Sequence, residues 1–105
     1  MDVALILQQA GFDVEEAGNS DEALRKLNGG GCQLDALVTD VQMPGAIDGC
    51  VLAKRVHELF PDAAIVVISG VTKPPPEEMP PTATFLAKPV SPECLLRAIK
   101  SGLEA

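Results

Sequence analysis

Apolar positions along the chain fall into two rhythms, one helical and one strand-like. Val3, Ile6, Leu7 and Ala10 recur at helical spacing, and Gly11 follows as a C-cap signal. Phe12 to Ala17 has a polar side and an apolar side, which predicts a short strand. Asn19 precedes Glu22 by three residues, the spacing of a capping box. Ala23, Leu24 and Leu27 then carry a helix into Gly29-Gly30-Gly31. Leu34 to Thr39 is the next predicted strand. Asp48 opens a helix in which Leu52, Val56, Leu59 and Phe60 share a face, and Pro61 stops it. The run Ala63 to Ser69, AAIVVIS, is apolar without alternation, the pattern of a strand covered on both faces. Thr82 to Lys88 reads as a shorter strand. Ser91-Pro92 is an N-cap followed by proline at the first helical position, and Leu95, Leu96, Ile99 and Leu103 carry the last helix.

Strands and helices alternate, which predicts an α/β fold with a parallel sheet, built as a single unit over residues 1–105. One stretch breaks the rhythm. KPPPEEMPP, Lys73 to Pro81, lies where a crossover helix is expected, and its five prolines allow at most one turn of helix.

Composition narrows the function classes. The chain has 105 residues and a net charge of −7, so it lacks the basic face that phosphate backbones require, and nucleic acid is excluded as a direct partner. All three aromatics are Phe, so the core is aliphatic and alanine-rich. Cys32, Cys50 and Cys94 are scattered and contain no CxxC, which reads as reduced small hydrophobes rather than a disulfide or zinc framework. No apolar run reaches membrane-spanning length, and a soluble cytoplasmic protein is the expectation.

Open α/β sheets bind ligands at the carboxyl ends of their strands. Here those ends carry Asp40, Ser69 followed by Gly70, and Lys88 followed by Pro89. An acid, a hydroxyl and an ammonium at one edge suit phosphoryl chemistry. A carboxylate can form an acyl phosphate, a hydroxyl can donate to a phosphoryl oxygen, and an ammonium can offset charge on the transferred group. Each residue alone has a plainer reading. Asp40 is a turn former, Ser69 a strand end, Lys88 a solvated cation and Phe85 a core residue. His57 falls on the polar side of its helix and reads as surface, and Glu15-Glu16 and Glu77-Glu78 read as solvated pairs.

Taken together, LVTDVQMPG…DG with Asp40, Met43, Pro44, Gly45, Asp48 and Gly49, then VVISG with Ser69, then FLAKP with Phe85, Lys88 and Pro89, resemble the receiver domain of two-component response regulators. The resemblance implies a flavodoxin-like parallel sheet with flanking helices. It implies a signalling module rather than an enzyme, with Asp40 accepting a phosphoryl group from a histidine kinase or a phosphotransfer protein. It implies that Ser69 and Lys88 contact that group, that Phe85 acts with Ser69 as a switch, and that the Lys88-Pro89 bond is a candidate for cis. It also implies Mg²⁺ held by Asp40 and the backbone carbonyl of Gln42. The output would be protein contact, centred on Phe85, Val90 and the last helix.

Such domains begin with a central strand ending in two acids, and neither is seen here. The expectation is therefore an N-terminally shortened sheet, weak or absent Mg²⁺ binding, and slow or absent phosphorylation. Open strand edges would favour a homodimer by edge pairing or exchange. Two alternatives follow. One is a phosphorylation-independent pseudo-receiver that acts as an interaction module. The other is a small phosphatase-like enzyme, disfavoured because Gln42 stands where a second acid would serve as general acid or base.

Overall fold

Among the described residues, three parallel strands paired in chain order form the middle layer of the molecule, with helices on both faces. The computed structural model describes residues 3–28, 34–42, 48–70 and 75–104. Its elements are α1 (Val3–Gln9), α2 (Ser20–Asn28), β1 (Ala36–Asp40), α3 (Gly49–Leu59), β2 (Ala64–Ser69), a 3₁₀ turn (Pro76–Glu78), β3 (Thr84–Ala87) and α4 (Pro92–Glu104). The receiver-like α/β architecture read from the sequence is thus present. Among the described residues of the β2–β3 connection, the 3₁₀ turn is the only helical piece, as the prolines dictate.

Two apolar clusters sandwich the sheet. On one face Leu37, Ile65 and Val67 meet Leu52, Ala53 and Val56 of α3 and Ala23, Leu24 and Leu27 of α2. On the other face Val38, Val66 and Ile68 meet Leu95, Ala98 and Ile99 of α4 and Ile6 and Leu7 of α1. Every residue of β2 is buried, which explains its unbroken apolar run. Each fully buried Leu, Ile or Val contributes about 1.5–3 kcal/mol. Gly102 lets α4 lie against β2, because a Cβ there would stand 2.6 Å from the Ala64 Cβ.

Local signals in the sequence set the helix ends. The α1 C-terminus closes as a Schellman motif: the Phe12 N–H donates to the Leu7 carbonyl at 3.0 Å and the Gly11 N–H to that of Gln8 at 3.1 Å. Gly11 takes φ +99°, which a side chain would strain. At α2 the Glu22 N–H donates to Asn19 Oδ1 at 2.8 Å, and Glu22 Oε2 reaches back to the Gly18 N–H at 3.2 Å. At α4 the Cys94 N–H donates to Ser91 Oγ at 3.1 Å.

Three expectations are corrected. Phe12 to Ala17 is not a strand. Its inward and outward sides are as read, with Phe12, Val14 and Ala17 half-buried and Asp13, Glu15 and Glu16 exposed. Alternation decides which side chains turn inward, but a strand also needs a neighbour's backbone. Here the Glu16 carbonyl accepts from Lys26 Nζ at 2.6 Å, tying the segment to α2 instead of to the sheet. His57 is half-buried rather than a surface residue, and its Nδ1 is enclosed without a hydrogen-bond partner. It follows Ala53 by one turn and Cys50 by two, so it shares their buried flank. The other strands are shorter than read: β1 starts at Ala36 and extends to Asp40, β2 begins at Ala64, and β3 spans only Thr84–Ala87.

Among the described residues the outer edge of β1 has no strand partner. The Ala64 N–H donates to the Asp35 carbonyl and the Val41 N–H to the Ile68 carbonyl, each at 2.9 Å. Parallel pairing therefore turns the backbone of Leu37 and Thr39 toward β2 and that of Ala36, Val38 and Asp40 away from it.

Candidate functional site

Asp40 is the last residue of β1, and the packing beneath it is tight. The Asp48 side chain caps α3 by accepting from the Val51 N–H at 3.0 Å. The Gly49 N–H donates to the Val41 carbonyl at 2.9 Å. These two bonds bring the first residue of α3 directly under β1, where a Cβ on Gly49 would overlap the Asp40 carbonyl oxygen. Thr39, buried beside it, donates from Oγ1 to that same carbonyl at 3.1 Å.

Lys88 arrives from the end of β3. Its N–H donates to the Ser69 carbonyl at 3.0 Å, which extends the β2–β3 ladder by one bond. Its aliphatic stem lies over Gly70, where a Cβ would meet the Lys88 Cδ at 3.3 Å. The Lys88-Pro89 peptide is cis. Carried this way, Lys88 Nζ reaches Asp40 Oδ1 at 3.1 Å. Both side chains are about half exposed, so the pair adds little to stability, about 0–1 kcal/mol. Its chemical value is greater. Lys88, Asp40, Gln42, Ile68, Ser69 and Gly70 line one cleft of about 60 Å³.

Asp40, Ser69, Lys88 and Gln42 are therefore brought together. Phe85 is half-buried on β3, and among the described residues neither apolar cluster includes it. Met43, Pro44, Gly45 and Cys32 lie outside the described residues. Cys50 and Cys94 are free thiols. Burial, then the nearby carboxylates of Asp48 and Glu78, push the Cys50 thiol up, against a smaller pull from Lys54. Sequence reasoning missed Thr39. The available signal was a hydroxyl standing in an apolar strand immediately before the acid.

Mg²⁺ takes near-octahedral oxygen ligands, usually including one or two carboxylates. Among the described residues the cleft offers one carboxylate, Asp40, whose Oδ1 already meets an ammonium. No group of three His, Cys, Asp or Glu gathers for a metal among them. This donor set does not fit a divalent-cation site. No helix among the described residues is long and apolar enough to cross a membrane.

Comparison with known proteins agrees with this geometry. Residues 1–100 match the family model of the response regulator receiver domain. The chain is 34% identical to the response regulator receiver protein CpdR of Brucella abortus, over 94% of this chain and 82% of that protein. It is also 34% identical to the sensor kinase CckA of the same organism, over 93% of this chain but only 11% of the kinase. Among solved structures, a response regulator receiver protein from Sinorhizobium medicae superposes with a TM-score of 0.88 at 29% identity, covering 96% of this chain and 82% of that one. The receiver domain of a hybrid histidine kinase CckA gives 0.76 at 33% identity, covering 95% and 84%. An acid, a lysine and a serine at the carboxyl edge of a parallel sheet, with this ancestry, place the chain in the response regulator receiver domain family of two-component signalling.

Proposed function

We propose that Asp40 accepts a phosphoryl group from a phosphohistidine of a histidine kinase or phosphotransfer protein, and that the chain signals through protein contact. The observation that carries this reading is the 3.1 Å approach of Lys88 Nζ to Asp40 Oδ1 in a cleft shared with Ser69. An Asp40 carboxylate oxygen attacks phosphorus, the new O–P bond forms as the N–P bond breaks, and the imidazole leaves with the electron pair. Lys88 then moves its contact from the carboxylate to a phosphoryl oxygen, offsetting the charge that gathers there. The Ser69 hydroxyl, from the same cleft, donates to another phosphoryl oxygen. The described residues of the cleft supply one carboxylate and do not fit a divalent-cation site, so transfer is slow and responds little to Mg²⁺.

The test is intact-mass analysis after incubation with a phosphorylated phosphotransfer protein, with and without Mg²⁺. One phosphoryl group should add slowly, be released by hydroxylamine, respond little to Mg²⁺, and be absent from Asp40→Asn. Fast, Mg²⁺-saturable labelling would overturn the weak-cation reading and keep Asp40. Label at another residue, or none, would overturn both. The single carboxylate among the described residues of the cleft also favours a second reading, a phosphorylation-independent interaction module, in which Asp40→Asn leaves partner binding unchanged.

The outer edge of β1, without a strand partner among the described residues, supports self-association of two copies by edge pairing at Ala36 and Val38. Light scattering across a concentration series should then show a mass rising toward the dimer. A constant monomer mass would dispose of it.

A further inference from the structure

We infer that Thr39 is a positioning residue for Asp40. The Asp40 carbonyl lies on the outer side of β1, while the N–H of the same peptide, that of Val41, is held by the β2 ladder at the Ile68 carbonyl. Two groups hold the carbonyl itself. Thr39 Oγ1 donates to it at 3.1 Å, and the bare Cα of Gly49 packs against it from α3. Thr39 is only 4% exposed, so its hydroxyl works in a low-dielectric setting where a made hydrogen bond matters more than at the surface. With the Val41 N–H bonded on the inner side, holding this carbonyl on the outer side completes the fixing of the peptide plane that follows Asp40. That plane and the strand on the other side of the residue set the direction of the Asp40 Cα–Cβ bond, and with it the aim of the carboxylate at Lys88 Nζ. Thr39 acts through the backbone of its neighbour, and this role for phosphoryl transfer rests on reading Asp40 as the acceptor.

The test compares Thr39→Val, which keeps the shape and loses the hydroxyl, with Thr39→Ser, which keeps the hydroxyl. In wild type and both variants, the ¹³C signal of the Asp40 carboxyl is followed by NMR, and the labelling rate from a phosphorylated phosphotransfer protein is measured beside it. Thr39→Val should shift the Asp40 carboxyl signal and slow labelling by about three- to tenfold, the worth of one lost hydrogen bond in rate. Thr39→Ser should restore both to near the wild-type values. A Thr39→Val chain that is folded by its amide spectrum and keeps the wild-type carboxyl signal overturns the inference. If Thr39→Val does not fold, a Thr39→Ser chain that is folded but has lost the wild-type carboxyl signal overturns it. If wild type is not labelled at all, the acceptor reading fails, while the carboxyl signal still decides whether Thr39 positions Asp40.

Discussion

Gly49→Ala should destabilise the fold by about 3 kcal/mol or more, the upper range for forcing extra volume into a packed site. Two effects compete at this position. Alanine is the better helix former by about 1 kcal/mol, and Gly49 opens α3 without a left-handed φ, so the backbone itself has no objection. Against this, the new Cβ would overlap the Asp40 carbonyl oxygen, which is main chain and cannot rotate out of the way as a side chain would. Relief requires α3 or β1 to shift, and both are packed into the same apolar cluster. The steric term wins. The chain has no Trp or Tyr, so far-UV circular dichroism in urea is the suitable measurement. A Gly49→Ala chain within about 0.5 kcal/mol of wild type, the ordinary range of a surface substitution, would mean that the contact is softer than described.

Lys88→Met should do the opposite, leaving stability almost untouched and removing most of the chemistry. The Lys88–Asp40 pair is half exposed, so unfolding in urea should change by less than about 1 kcal/mol. Phosphoryl transfer to Asp40 should slow by about 10²–10³-fold, the usual cost of deleting one group that meets developing charge. Methionine keeps the length of the stem that crosses Gly70, so the loss reports on the ammonium rather than on packing. Lys88→Arg, which keeps the charge on a wider head, should recover part of the rate. A Lys88→Met rate within about tenfold of wild type would remove the lysine from the mechanism.

Much of this architecture was legible in the sequence because its signals are local. The Gly11 cap, the Asn19–Glu22 box, the Asp48 cap and the Ser91-Pro92 start each act within a few residues, and each forms its capping bond, though Glu22 reaches back to the Gly18 N–H and not to that of Asn19. The unbroken run of β2 stated its own burial. The strand ends placed Asp40, Ser69 and Lys88 at one edge because parallel strands share a direction, and the structure places all three in one cleft. What stayed hidden depends on the partner. Phe12 to Ala17 has the side-chain pattern of a strand, yet no residue in it says whether another backbone lies alongside. The glycine after Asp48 was legible as part of a motif, but its reason is a carbonyl nine residues earlier in the chain. Thr39 was masked by the acid beside it.

The Gly102–Ala64 contact fixes the last turn of α4 at close range to β2. The helix is 13 residues long, about 20 Å at 1.5 Å per residue. Leu95 in its first turn is fully buried against the same sheet, so α4 is anchored at both ends. Its start at the Ser91 cap lies three residues after Lys88, which leaves the exposed Glu93 and Cys94 as the part of the helix nearest the cleft along the chain.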